Sequence, residues 1–521
     1  MPSAALVPGS RSFFQRFLNL VERLGNALPN PSTLFAALGV LVVLLSWVFS
    51  RMGLQVVHPA TGQTIQVVNL LSVEGLQRFV TQLVPNFVGF PPLGTVLACL
   101  VGIAVAERTG LIAALLRLIV LNSPPRLLTP MVVFGGIMSH SGGDVGYVLF
   151  IPLGAALFHA VGRHPLAGLA AAFAGVSGGF SANLLLGTID PLLAGITQAA
   201  ATSAGIKPGY VVHATANYYF LVAATFLLTA TGWFVTEKVV EPRLGHYTGS
   251  APREPIVPLS ADEKRGLWWT LAGQLAVTAV VVWGLIPATT LPGGGFLLDP
   301  KNPTILGSFF MRGLIFFIFL YGLVAGLCFG LGARTIKSDH DVIRGMDQSM
   351  STMASYIVMS FFTAQFLALF NWTNLGTIIA IEGATGIKAL GLQNSPVLLM
   401  VSLVFFTATV NLLIGSASAK WALLAPVFVP MFMLLGFTPE LVQGAFRVGD
   451  SCTNIITPLL AYFPLIVTFA NRYLPSTGIG TMISTMLPYS IGFMIAWTLM
   501  LMAWIWLGLP MGPGAGLFLA P

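Results

Sequence analysis

Charge is scarce in this chain: Asp, Glu, Lys and Arg together make up 8% of the 521 residues. Soluble domains carry about 25% charged residues, so a water-soluble globular fold is excluded. Cysteine is nearly absent. Cys99, Cys328 and Cys452 lie far apart in apolar segments, which leaves no disulfide framework and no metal-binding spacing. No polar stretch is long enough for a sizeable soluble domain. The first 31 residues are polar and basic without an early apolar run, so no cleavable signal peptide is read.

What is present is hydrophobic length. Hydrophobic residues make up 56% of the chain, in segments of the roughly 20 residues that cross a bilayer. Clear spanning candidates cover about 33–50, 90–118, 166–198, 211–237, 265–287, 306–330, 345–372, 440–470 and 484–508. Two further apolar segments, about 125–160 and 400–435, are interrupted by Gly, Ser and Asp or Lys. Each is too long for one straight span and too broken for two, so each predicts a hairpin that enters the membrane and turns back. Irregular backbone at that depth needs protein or a watery cavity around it. The expected fold is therefore an all-α integral membrane protein with about nine transmembrane helices plus two re-entrant hairpins. Residues 1–31 read as an N-terminal segment, 32–508 as one transmembrane domain and 509–521 as a tail. The segment near 51–86 reads as a loop.

The net charge of +7 points to topology rather than to nucleic acid. Basic residues gather at Arg11, Arg16 and Arg23, in the loop near 238–265 and at Arg334, Lys337 and Arg344. The loops near 51–86 and 288–303 hold few. With nine spans and two hairpins the basic loops share one side, which places them and the N-terminus in the cytoplasm. The first hairpin then enters from the cytoplasm and the second from the periplasm.

The chain also repeats itself. At an offset of 274, Tyr147 falls on Trp421, Pro152 on Pro426, Gly162 on Gly436 and Pro165 on Pro439. Gly175 falls on Gly449 and Ser177 on Ser451; after a seven-residue insertion, Pro191–Ala194 falls on Pro458–Ala461. Each copy, at about 125–198 and 400–470, reads as a hairpin followed by a broken helix. Inverted repeats with broken helices mark secondary transporters, whose sites meet near the bilayer midplane.

The second broken helix, FRVGDSCTNIITPLLAYFP (446–464), carries the densest polar group. Charges in the membrane are expensive. Arg447 and Asp450 are three apart and share a helical face, either as a structural ion pair or as the lining of a cavity. Pro458 breaks the helix. Asp450 and Asn454 also share a face, and the turn NLLIGSASAKW (411–421) adds Asn411, the Gly415 carbonyl, Ser416 and Ser418. These hard oxygens suit Na⁺ at Asp450, or a proton on its lone carboxylate. The equivalent positions in the first copy are Ile137, Val176 and Phe180, so only the second copy is expected to hold the cation. Lys420 either attracts an anion or snorkels outward, and Trp421 offers either packing or a stacking surface. In the first copy, Asp190 before Pro191 is a buried carboxylate at a helix break. Asp144, Ser181 and Asn183 form a second tier, and His140 reads as a turn residue.

These residues resemble the AbgT family of p-aminobenzoyl-glutamate transporters, within a larger ion transporter superfamily. The resemblance covers essentially the whole chain. It rests on VERLGNALPNPSTLF (21–35), SHSGGDVGY (139–147), SGGFSANLLLGTIDP (177–191), GSASAKWALLAP (415–426) and the 446–464 stretch. It implies a homodimer in the bacterial inner membrane, driven by a proton or sodium gradient, with no cofactor. The implied cargo is an aromatic amine carboxylate such as p-aminobenzoyl-glutamate, or sulfonamides and related p-aminobenzoic acid compounds. Its functional residues fall on Asp190, Ser418, Trp421, Pro439, Arg447, Asp450 and Pro458, and its sodium site on Asn411, Gly415, Asp450 and Asn454. The nearest alternative is a dicarboxylate-type anion transporter, though aliphatic diacids would not need Trp421. A distant one is an intramembrane aspartyl protease built on Gly143-Asp144 and Gly449-Asp450; Arg447 beside one acid argues against a shared-proton dyad. The expectation is a transporter and not an enzyme.

Overall fold

Where water is absent the backbone must satisfy its own polar groups, and helix is the local solution. The computed structural model describes residues 29–57, 62–121, 124–139, 146–249, 251, 258–305, 307–475 and 477–519. His140, Asp144 and the N-terminal Arg11, Arg16 and Arg23 lie outside the described residues.

The described chain opens with α1 (Pro31–Arg51), capped by Asn30, whose side chain accepts from the Ser32 N–H at 3.0 Å. A two-stranded antiparallel ribbon, β1 (Gln55–Val57) and β2 (Thr64–Gln66), leads to α2 (Val73–Val88). The expected plain loop over 51–86 is thus a ribbon and an amphipathic helix. Val73, Leu76, Val80, Val84 and Val88, spaced by three or four, put one apolar stripe on the outside of α2. Next come α3 (Pro91–Arg108) and α4 (Leu111–Leu121). The single span expected there turns at Gly110, whose φ is 89°.

The first hairpin is α5 (Leu128–Met138) and α6 (Ile151–Ala160). α7 (Pro165–Phe173) runs into a π-helical turn at Ala174–Gly178; the backbone then unwinds before α8 (Ile189–Ala204). After α9 (Tyr218–Val235), α10 (Ala261–Leu285) and α11 (Leu314–Gly332) come α12 (Asp339–Thr352), α13 (Ala354–Trp372) and α14 (Leu375–Ala389). The second hairpin is α15 (Pro396–Asn411) and α16 (Ala417–Met433). α17 (Pro439–Thr453) stops, the chain unwinds, and α18 (Phe463–Asn471) resumes before α19 (Ile479–Trp506).

Among the described residues, seven helices are long and apolar enough to cross a membrane. The hairpin arms fall short: the longest, α16, has 17 residues, which rise about 26 Å against a hydrocarbon core of about 30 Å.

The repeat is visible in the backbone. Gly162 (φ 80°) and Gly436 (φ 89°) both follow the second hairpin arm in the left-handed conformation that glycine accepts without strain. Pro165 and Pro439 then occupy the first position of α7 and α17, where a missing N–H costs nothing. Gly175 and Gly449 let each broken helix press on its own hairpin. A Cβ there would sit 2.3 Å from the Val133 carbonyl oxygen and 2.2 Å from that of Val404.

Candidate transport site

Every residue of α17 is buried, including Glu440, Gln443, Arg447, Asp450 and Ser451. Buried polar groups must find partners, and those partners define the site. Arg447 Nη2 donates to Asp190 Oδ1 at 2.5 Å. Asp190 lies in the first turn of α8, where the helix dipole favours an anion. Its Oδ2 accepts the Gly187 N–H at 2.8 Å. This ion pair joins the broken helix of one copy to that of the other.

Asp450 takes a different partner. Its Oδ1 pairs with Lys420 Nζ, which also donates to Asn411 Oδ1. Of the two readings of the three-residue spacing, a structural Arg447–Asp450 ion pair is not formed, because other elements offer each charge a counter-ion. Lys420 does not snorkel; its side chain is 0% exposed. Asn411 turns its amide toward the Asp450 carbonyl (2.7 Å), Thr453 Oγ1 (2.8 Å) and Asn454 Oδ1 (2.9 Å). Asn454 reaches back to the Ser177 carbonyl of the first copy at 3.5 Å.

Three of the four expected sodium ligands, Asn411, Asp450 and Asn454, come together here, but they do not form an open oxygen cage. Asn411 Oδ1 and Asp450 Oδ1 hold the Lys420 ammonium, and Asn454 Oδ1 accepts from Asn411. Gly415 packs at the hairpin tip against the Leu459 carbonyl. Among the described residues, Asp450 Oδ2 is buried without a partner.

Trp421 is fully buried, so it offers no open face for stacking in this conformation. Its ring packs on Phe446 at 4.4 Å. Its Nε1 donates to Thr197 Oγ1 at 2.8 Å, and that hydroxyl lies 2.5 Å from Gln443 Oε1. The repeat-equivalent Tyr147 makes the reciprocal crossing. It stacks on Tyr462 at 4.4 Å, in the break between α17 and α18, and donates to Ser177 Oγ at 3.2 Å. Trp421 of the second copy thus reaches the first, and Tyr147 of the first reaches the second.

Beside this centre is a cavity of about 630 Å³, lined in part by Tyr147, Phe180, Thr188, Ile189 and Ser418. Its polar lining includes Glu107, Arg108, Gln348 and Ser349. Arg108 and Gln348 are exposed, so the cavity meets the surface there. Ser418 is the one expected primary site residue that lines it; Asp190 adjoins it through Ile189. Ser181 Oγ is buried without a partner among the described residues, and Asn183 Oδ1 accepts the Leu185 N–H at 3.1 Å. Pro458 sits in the unwound segment after α17. Pro439 stands apart from the ion pairs, at the start of α17 and about 12 Å along the helix from Arg447.

The sequence did not mark Glu440, Gln443 or Thr197. Tyr210 donates to Glu440 Oε2 at 2.8 Å. An acid in the first turn of an apolar helix was the available signal, and it reads equally well as a dipole partner.

Known proteins place the chain in a family. The family described as "AbgT putative transporter family" matches residues 16–519. The p-aminobenzoyl-glutamate transport protein of Escherichia coli K12 is 40% identical over 494 residues, 95% of each chain. The solved YdaH transporter of Alcanivorax borkumensis has a TM-score of 0.86 at 42% identity, covering 93% of this chain and 100% of its own. MtrF of Neisseria gonorrhoeae, described with a class of antimetabolite efflux pumps, has a TM-score of 0.89 at 48% identity, covering 96% and 100%. With its family matched over residues 16–519 and its fold shared with two solved members, this membrane chain belongs to the AbgT transporter family.

Proposed function

We propose that this transporter carries p-aminobenzoyl-glutamate, or related p-aminobenzoic acid and sulfonamide compounds, across the bacterial inner membrane. Transport is coupled to a proton or sodium gradient. In this reading the seven continuous helices and the two broken ones make nine crossings, the hairpins re-enter, the N-terminus is cytoplasmic and the chain works as a homodimer. The relatives' names support the cargo class.

The observation that carries the reading is the state of Arg447. It gives Nη2 to Asp190 while its buried Nε has no partner among the described residues. A guanidinium has five donors in a planar fork that matches a carboxylate. It can therefore take an anionic group without releasing Asp190. The adjoining cavity, with Tyr147, Phe180 and Tyr356 on its walls, suits a flat aromatic ring, and its volume is in the usual range for small-molecule sites. The cavity's open end lies beside α12, next to the basic 331–345 loop, so it faces the cytoplasm in the topology above.

Reconstituted vesicles with separately imposed sodium and proton gradients and labelled p-aminobenzoyl-glutamate test this. A sulfonamide should compete and succinate should not. Competition by succinate alone would move the protein to dicarboxylate-type anions. Asp450→Asn should abolish gradient-driven movement, and full coupled transport by that variant would remove Asp450 from the mechanism.

A further inference from the structure

Lys420 lies on the second arm of a hairpin, four residues past the tip, and its whole side chain is enclosed. Its ammonium touches two hard oxygens, Asp450 Oδ1 and Asn411 Oδ1. Both are held in place. Asn411 is locked by donating to the Asp450 carbonyl and to Asn454 Oδ1, and Asp450 is fixed on the fully buried α17. Oxygen donors of this kind are what a hard metal cation selects. Here an amine at the end of a four-carbon tether has them.

Charge decides between sharing and exchange. Within the enclosed centre, Lys420 and Arg447 balance Asp450 and Asp190 one for one. An inorganic cation added beside Lys420 would leave an uncompensated positive charge in a medium that penalises it heavily. A cation that takes the place of Lys420 keeps the sum at zero. The unpartnered Asp450 Oδ2 gives such an incoming ion a second oxygen.

We propose that Lys420 is the resident cation of this centre: its ammonium fills the seat between Asn411 Oδ1 and Asp450 Oδ1, and an inorganic cation binds there only by displacing it. The contact also ties the second hairpin to the second broken helix, so displacement removes one link between α16 and α17 and leaves the Trp421–Phe446 packing. Any ion that drives transport through Asp450 must first win this competition. The inference concerns cation occupancy alone and does not rest on the identity of the cargo.

The test uses purified full-length protein without substrate. Thermal unfolding is followed while NaCl replaces choline chloride at constant ionic strength. A ligand that binds only the folded state raises Tm in a saturable way. Lys420→Met opens the seat while keeping an unbranched side chain of similar size, and it should acquire a saturable, sodium-specific rise in Tm. The wild type should show none over the range that saturates this variant, or need at least about tenfold more sodium, a gap of about 1.4 kcal/mol. Asp450→Asn and the Lys420→Met/Asp450→Asn double variant should not respond. A folded Lys420→Met protein without a sodium response overturns the proposal. So does a wild type that responds at the same concentrations as the variant. Should the variant fail to fold, Lys420→Gln takes its place in the same titration. A folded Lys420→Gln protein that responds at lower sodium than wild type supports the proposal, and one that shows no sodium response, or responds only where wild type does, overturns it.

Discussion

Asp190 and Arg447 are 257 positions apart in the chain and 2.5 Å apart in the structure. Their pair ties the two broken helices together, and both side chains are almost wholly withdrawn from solvent. Removing one partner strands a buried charge, which costs about 3–5 kcal/mol. Arg447→Ala should therefore lower Tm and abolish vesicle uptake. Arg447→Lys keeps the charge without the planar fork, so it should fold better than Arg447→Ala and still transport poorly. An Asp190→Asn/Arg447→Gln double variant removes both charges. It should recover much of the lost Tm without recovering uptake. Recovery of uptake in that variant would show that the pair serves the fold alone.

Trp421 gives a second test, and here the structure changes the expectation. A stacking surface could be trimmed without harm to the fold, but this ring is fully buried against Phe446. Trp421→Ala should cost about 3–5 kcal/mol through the cavity it leaves. Trp421→Phe keeps an aromatic ring but loses the Nε1 bond to Thr197, so its cost should be nearer 1 kcal/mol for that bond, plus a smaller packing loss. Thermal unfolding of the two variants separates these cases; equal Tm losses would mean that the bond, not the packing, holds the ring.

The paired glycines test the repeat itself. Gly175→Ala and Gly449→Ala each push a Cβ into a hairpin carbonyl closer than 2.5 Å. Both should destabilise by similar amounts, about 1–3 kcal/mol or more. Gly386 in α14 is the control, because a Cβ there meets nothing within 4 Å. Gly386→Ala should be neutral or stabilising by up to about 1 kcal/mol. Detergent-solubilised Tm values compare all three, and a gap between the first two would break the equivalence.

The features legible in the sequence were those with local causes. Gly162 and Gly436, Pro165 and Pro439 announce themselves by backbone chemistry, so the repeat and its broken helices could be found by sliding the chain on itself. Arg447 and Asp450 stood out as charges in an apolar run. Their partners did not, because pairing across elements leaves no spacing signal. Asp450 meets Lys420 thirty positions earlier, and Arg447 meets Asp190 in the other copy. Three-residue spacing made Arg447 and Asp450 neighbours on one face, yet each is paired with a residue on another element. Tyr147 and Trp421 were matched as equivalents, but only the fold shows one lining the cavity and the other sealed. α2 was missed because mixed polarity over 73–88 hides a helix that is amphipathic rather than spanning.

Ser418 lines the cavity that opens beside the exposed Arg108 and Gln348, so a reagent in that cavity should reach it from their side. Cys99 and Cys452 are fully buried and serve as unreactive internal controls, so only the half-buried Cys328 needs replacing by Ser. In that background Ser418→Cys should react with a membrane-impermeant thiol reagent applied from the face that carries the 331–345 loop, and not from the other. p-Aminobenzoyl-glutamate should slow the reaction by occupying the cavity, and an aliphatic diacid should not. Labelling from the opposite face would reverse the direction in which this conformation opens. Labelling that is fast from the loop face but indifferent to p-aminobenzoyl-glutamate would leave the cavity as an access route and move the cargo's seat deeper, toward Arg447.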